Sequence, residues 1–254
     1  MEYVGRASDV LFVTLTLAIS MLLAWRVGLQ MGRRFRLGNG TTLAKFDDAS
    51  MALLGLLLAF TFGTSMGKHD QRLIAVVQDS NAIGDLYTCA TLLKEPTRTK
   101  LQAVIREYVE LRVSLARQPI DGAKLDRALV EFDRLHQRMT ELVSQALTDG
   151  TPIAVSLTNS LNTVASNQAA RLAAIRDRLP SSIVALLFIS AIVTTTLIGR
   201  KQGFAESSDV AGVLFFILLV SFAIYVTLDL NRPERGLIRV EQEPMERLLS
   251  SMAG

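Results

Sequence analysis

Residues 49–67 have the sequence ASMALLGLLLAFTFGTSMG, a run of 19 residues without a charged side chain. A helix needs about 20 predominantly apolar residues to cross the hydrocarbon core of a bilayer. A buried helix of a soluble protein usually carries a shorter apolar run of about 10–14 residues. The stretch therefore predicts a helix that spans a membrane.

Three further uncharged runs place this stretch in a pattern of two pairs, one pair near each end of the chain. They cover residues 10–25, 179–199 and 210–228. The first run is the shortest, but Arg26 can reach the membrane surface while residues 27–31 continue the helix. The segment before it mixes acidic and basic residues and no small-residue cleavage site follows, so we expect a retained helix rather than a signal peptide.

The segment between the two pairs predicts helices separated by chain breakers. Apolar residues at three- and four-residue spacing continue from residue 73, so the second helix is expected to run on to about Leu93, with Gly84 tolerated inside it. Asp47 and Asp48 suit the start of that helix. Three more helices are expected between prolines and glycines, ending near Arg117, Thr148 and Arg178.

These observations predict an all-α integral membrane protein with four transmembrane helices in a 2+2 arrangement. Each helix of the insert has one apolar face, which predicts an antiparallel bundle between the second and third transmembrane helices. The expected parts are transmembrane helices at 9–67, the bundle at 68–178, transmembrane helices at 179–230, and a C-terminal tail at 231–254.

The composition excludes several kinds of function. The chain has 27 Lys and Arg against 24 Asp and Glu, and its basic residues lack the aromatic interleaving of a nucleic-acid surface, so we expect no nucleic acid partner. No Cys, His or carboxylate cluster has metal-ligand spacing, and no nucleotide loop or nucleophile motif occurs. We expect no metal, no cofactor and no enzymatic activity; the expected surroundings are a lipid bilayer.

The two short connections, residues 26–48 and 200–209, are more basic than the N-terminal tail. The positive-inside rule then places these connections in the cytoplasm and the helical insert and both termini outside.

The second transmembrane helix carries small residues at every fourth position. These residues are Gly55, Ala59 and Gly63. Small residues at this spacing allow another helix to approach closely, so we predict helix packing on this face.

Two other faces of the same helix carry apolar residues followed by hydroxyls and then charge, a pattern that suits a pore with a hydrophobic constriction. One face presents Leu56, Phe60 and Thr64, and the other presents Leu57, Thr61, Thr64/Ser65 and Lys68. The charged residues expected at a pore mouth are Lys68, Asp70 and Arg72. A hydroxyl in a membrane helix also commonly bonds its own backbone, so ordinary packing stays open as the alternative.

Two motifs resemble the bacterial bestrophin-like DUF4239 family. Residues 73–93, LIAVVQDSNAIGDLYTCATLL, resemble one family segment, and residues 228–249, LDLNRPERGLIRVEQEPMERLL, resemble another. Asp79 stands where the family usually has Glu. The residues that carry the resemblance are Asn81, Gly84, Tyr87, Asp229, Arg232 and Pro233.

Residues 53–72 are similar to the second helix of bestrophins, which are pentameric ion channels. The resemblance implies a homo-oligomer, a pentamer, that conducts small ions. By position it also implies that Leu56, Phe60 and Thr64 line the pore and form its narrow apolar neck. It also implies a cytoplasmic helical domain, which is the opposite of the orientation predicted from charge.

We therefore expect an ion channel in the bacterial inner membrane. The alternative is a non-conducting membrane scaffold or sensor whose helical insert binds a partner in the envelope. A secondary transporter fits less well, because the four apolar runs lack the breaks and midplane charges typical of that class.

Overall fold

A computed structural model describes residues 4–34, 40–117, 122–205, 209–232, 238 and 240–252. All regular secondary structure in these residues is helical. The helices are α1 (Val4–Arg34), α2 (Gly40–Thr91), α3 (Thr97–Arg117), α4 (Gly122–Thr148), α5 (Ala154–Arg176), α6 (Ser181–Ala205), α7 (Val210–Leu230) and α8 (Glu243–Ser251).

Four of these helices, α1, α2, α6 and α7, contain a stretch long and apolar enough to cross a membrane. They form the two predicted pairs, with α3, α4 and α5 between them. The all-α membrane fold predicted from the sequence is therefore confirmed.

Helix α2 is continuous over 52 residues, which confirms that the second helix continues beyond its apolar run. Its start differs from the expectation, because the helix begins at Gly40 rather than near Asp47. The predicted breakers end the other helices: Gly150 adopts a left-handed φ of 73°, and α6 begins directly after Pro180. Helix α8 was not expected, because its nine residues are too few to show a clear period in a polar tail.

The chain divides into two compact units. The first consists of Met1–Lys68 and Arg178–Ile238. Its interior is apolar and joins residues of α1, α2, α6 and α7, among them Met21, Leu54, Leu187 and Ile224. Lipid tails are as apolar as these side chains, so the helices of this unit associate through close van der Waals packing rather than through removal of water.

The second unit consists of His69–Asp177 and Arg239–Gly254. Its core includes Tyr108 and Phe132, whose rings meet edge to face at 5.2 Å, and Met245 from α8. Burial of each large apolar side chain in such a bundle contributes about 1.5–3 kcal/mol. The four parts predicted from the sequence, 9–67, 68–178, 179–230 and 231–254, were divided where the chain is expected to leave or enter the membrane. That division stays a prediction.

Candidate functional site

The face of α2 predicted to line a pore is open in the single chain. Leu56 is 54% exposed and Phe60 is 67% exposed, and Thr64 is exposed as well. The Thr64 hydroxyl donates to the carbonyl oxygen of Phe60 at 2.8 Å, so its hydrogen bond is made within the helix. This face is thus available to lipid, to a pore or to another chain.

The opposite face of α2 is buried in the first unit. Leu54 and Thr61 are 2% and 5% exposed, and Ser65 is fully buried. The Thr61 hydroxyl donates to the carbonyl of Leu57 at 2.8 Å. One side of helix α2 is therefore packed inside its own chain, and the other side is exposed in the single chain.

The small residues predicted to serve helix packing do not do so within the single chain. A Cβ added at Gly55 or Gly63 would meet no atom within 4 Å, and Ala59 is exposed. Their use against another copy stays a prediction.

The closest helix packing lies instead between α1 and α6. A Cβ on Gly28 would lie 2.1 Å from the carbonyl oxygen of Thr196, and one on Gly199 would lie 2.2 Å from that of Trp25. Gly32 and Gly203 meet backbone in the same way. Gly28 and Gly32 on α1, and Gly199 and Gly203 on α6, have the Gly-x-x-x-Gly spacing that permits backbone contact in membranes. This spacing could have identified the four glycines from the sequence.

Polar contacts also attach the beginning of α2 to α6. Arg200 donates to the carboxylate of the buried Asp47 at 2.9 Å, and Lys201 lies 3.4 Å from Asp48. The two aspartates expected to start the helix therefore pair with basic residues of the other short connection.

The three residues predicted at the pore mouth differ in their surroundings. Asp70 is exposed and Lys68 is partly buried. Arg72 is only 2% exposed, and its guanidinium donates to the carbonyl oxygens of Ala174 and Asp177 at 3.0 and 2.8 Å. Arg72 thereby satisfies free carbonyls at the C-terminus of α5, where a positive charge is also favoured. Its place at a pore mouth stays a prediction.

Three family-motif residues of α2, Asn81, Gly84 and Tyr87, line one side of a groove of about 520 Å³ in the second unit. Helix α8 forms the other side. The Ser80 hydroxyl donates to the carbonyl of Pro244 at 3.0 Å, and a Cβ on Gly84 would make ordinary contact with Leu248 at 3.5 Å. The motif therefore seats α8 against α2.

A buried polar cluster lies beside this contact. Asp79 has no exposed surface, and one of its carboxylate oxygens lies 3.0 Å from Arg171 and 3.5 Å from Arg112. Arg112 donates to the Tyr108 hydroxyl at 2.7 Å, and that hydroxyl donates to Gln168 at 2.9 Å. The cluster joins α2, α3 and α5, and it holds two guanidinium groups for one carboxylate.

The burial of this cluster changes its proton affinities. Burial raises the pKa of the Tyr108 hydroxyl, because the phenolate would lose its hydration. Burial, and then the neighbouring Arg112, lowers the pKa of Arg171. The rings of Tyr108 and Phe132 lie 5.1 and 4.3 Å from the Arg112 guanidinium and stabilise its charge.

This cluster was not predicted from the sequence. The one indication of it was Arg112, a charged residue at an apolar position of the α3 periodicity. An arginine on the core-facing side of a helix needs a buried partner.

The second family motif organises the end of α7. Asp229 is 3% exposed and accepts a hydrogen bond from the backbone N–H of Ile238 at 3.0 Å. The Asn231 side chain accepts one from the backbone N–H of Leu179 at 2.8 Å, and the N–H of Arg232 donates to the carbonyl of Asp229 at 3.0 Å. Pro233 lies outside the described residues.

Comparison with known proteins gives a family and a fold. The model of the Bestrophin-like domain matches residues 10–245. A solved crystal structure described as that of a membrane protein is 15% identical, with a TM-score of 0.52, and covers 97% of this chain and 99% of its own. At this identity the likeness shows the fold alone. No curated protein matches the chain significantly.

Proposed function

This chain belongs to the bestrophin-like family, and from that premise we propose that it assembles into a ring and conducts small ions through a pore lined by α2. The proposed location is the bacterial inner membrane. The proposed pore-lining residues are Leu56, Phe60 and Thr64. The residues proposed at the pore mouth are Lys68, Asp70 and Arg72.

One observation carries the proposal: the open face of α2 differs from the open faces of the other membrane helices. The exposed apolar residues of α1 and α7 are large, for example Phe12 and Phe215 at 70% and 67% exposure. On α2, glycines are interspersed among such residues, and a Cβ added at Gly55, Gly63 or Gly67 would meet no atom of another helix within 4 Å. A Cβ added at Gly28 or Gly32 of α1, or at Gly199 or Gly203 of α6, would instead meet backbone atoms. Glycines without a neighbour in the single chain favour the approach of another copy.

Helix α2 suits the lining of a narrow pore because its open face is uncharged and its hydroxyl is internally bonded. Leu56 and Phe60 would form a ring of apolar side chains that gates by excluding water. One chain has few polar groups inside its apolar windows, so a conducting path needs several copies around an axis.

The test is an ion-flux assay on protein reconstituted in liposomes, with Phe60→Ala compared with Phe215→Ala. Both phenylalanines are 67% exposed and lie within apolar helices, so the two variants remove the same side chain from equally open positions. We expect Phe60→Ala to raise flux about tenfold, which corresponds to about 1.4 kcal/mol off the barrier. Phe215→Ala should leave flux unchanged.

A protein that is monomeric and gives no flux would contradict the proposal. Equal effects of the two substitutions would also contradict it, because α2 would then have no special position. A dimer without a central axis and without flux would favour the non-conducting scaffold.

A further inference from the structure

The second unit has a charged side formed by α3 and α4. The exposed residues on these helices include acids and bases that pair across the surface, for example Glu107 with Arg134 and Arg138 at 3.4 and 2.9 Å. Such a surface is solvated by water, and its exposed ion pairs contribute little to stability.

The side formed by α5 and the adjoining stretch of α2 is different. Residues 154–170 of α5 contain no charged side chain, and residues 73–91 of α2 contain only two, Asp79 and Asp85. Asp79 is buried, and Asp85 is exposed but lines the groove beside α8, together with Asn81.

These two helices are neighbours, so their exposed residues form one continuous surface. The side-chain amide of Asn167 donates to the carbonyl of Gln78 at 2.9 Å, and Cys89 lies 3.6 Å from Ser160. We define the α2–α5 surface by its exposed residues Ile74, Gln78, Asn159, Thr163 and Ala170.

We propose that the α2–α5 surface is an interface with a second copy of this chain, while the α3–α4 side faces water. The inference rests on the proposed ring, to which it adds the contact surface of the extramembrane bundle. Depletion of charge distinguishes the core of a protein interface from ordinary surface. A charged partner surface would lose the hydration of its charges here without gaining an ion pair. Another neutral surface would not lose the hydration of a charge.

Membrane anchoring favours a second copy as the occupant. Copies anchored in the same orientation present their bundles at the same height, and confinement raises the effective concentration of one bundle near another. The open glycine face, which the proposed ring places near other copies, and the α2 part of the α2–α5 surface both belong to this one helix.

The test introduces one charge on each side of the bundle. Thr163→Glu lies on the α2–α5 surface, and Thr140→Glu on α4 is its control. Both threonines are exposed, and both hydroxyls donate to the carbonyl four residues earlier, at 2.8 and 2.9 Å. The oligomeric mass of the full chain in detergent is measured by light scattering over a range of concentrations.

We expect Thr163→Glu to raise the dissociation constant of the assembly at least about tenfold, because the new carboxylate would be desolvated without a partner. Thr140→Glu should assemble like the unsubstituted protein.

A labelling experiment keeps the inference testable if Thr163→Glu fails to fold. Cys89 is the only cysteine in the chain, so Thr163→Cys and Thr140→Cys can be compared in a Cys89→Ser background. In opened native membranes, Thr163→Cys should be protected from a maleimide while Thr140→Cys reacts, and both should react equally in SDS.

Equal labelling in native membranes, or normal assembly of folded Thr163→Glu, would overturn the interface. If the unsubstituted protein then still formed a conducting ring, the proposed function would stand without it. An unsubstituted protein that is monomeric and silent would instead contradict the proposed function, and this inference with it.

Discussion

Substitution of Gly199 by alanine tests the closest packing in the first unit. The added Cβ would lie 2.2 Å from the carbonyl oxygen of Trp25, whereas ordinary contacts begin at 3.4 Å. The shortfall is about 1.2 Å, and the obstacle is backbone, which cannot rotate away as a side chain can. Helices α1 and α6 must therefore move apart.

The expected cost follows from two opposing effects. Overpacking of this kind typically costs about 1–3 kcal/mol, and the upper part of that range applies because the clash is with backbone. Alanine recovers up to about 1 kcal/mol through its higher helix propensity. The net loss should be about 1–2 kcal/mol, or a decrease in Tm of about 2–8 °C for a chain of this size.

The assay is thermal unfolding in detergent followed by tryptophan fluorescence. Trp25 is the only tryptophan in the chain, and its indole N–H donates to the Gln202 side chain at 3.0 Å across the α1–α6 contact. Its emission therefore reports on the same crossing that Gly199→Ala disturbs, and we expect its maximum to shift.

Gly84→Ala provides the control, because its Cβ would make only an ordinary contact at 3.5 Å with a leucine side chain. It should leave Tm unchanged or raise it slightly. If Gly199→Ala kept both the Tm and the Trp25 emission of the original protein, the two helices would not meet backbone to backbone and the reasoning would be refuted.

Two further predictions concern the buried cluster of the second unit. Asp79→Asn should destabilise that unit by about 3–5 kcal/mol, because Arg112 and Arg171 would keep their charges without the carboxylate. Urea unfolding measures this loss, and an unfolding midpoint equal to that of the original protein would contradict the prediction. The raised pKa of Tyr108 means that the folded unit resists ionisation of its hydroxyl, so its contribution to stability is present below about pH 10 and is lost as the pH rises through the folded-state pKa. Tyr108→Phe should flatten this alkaline decrease in unfolding free energy, and an unchanged slope would show that another group causes it.

The long elements were predictable because their causes are local. Four apolar runs determine the membrane helices, and prolines and glycines determine most helix ends. The beginning of α2 was not predicted correctly: the helix starts at Gly40, and Asp47 lies inside it, where it pairs with Arg200, a residue far along the chain. The small residues were recognised on α2 but overlooked on α1 and α6, since spacing alone does not say which glycine meets another helix.

The sequence alone determined the membrane class, the 2+2 order, the continuity of α2 and the family, because apolar length and chain breakers act over a few turns of helix. Only the tertiary structure decided which side of α2 is buried, that Gly199 meets the backbone of α1, and that Asp79 holds two arginines. These contacts join residues remote in sequence, and their free energies depend on distances of a few ångströms that periodicity does not contain.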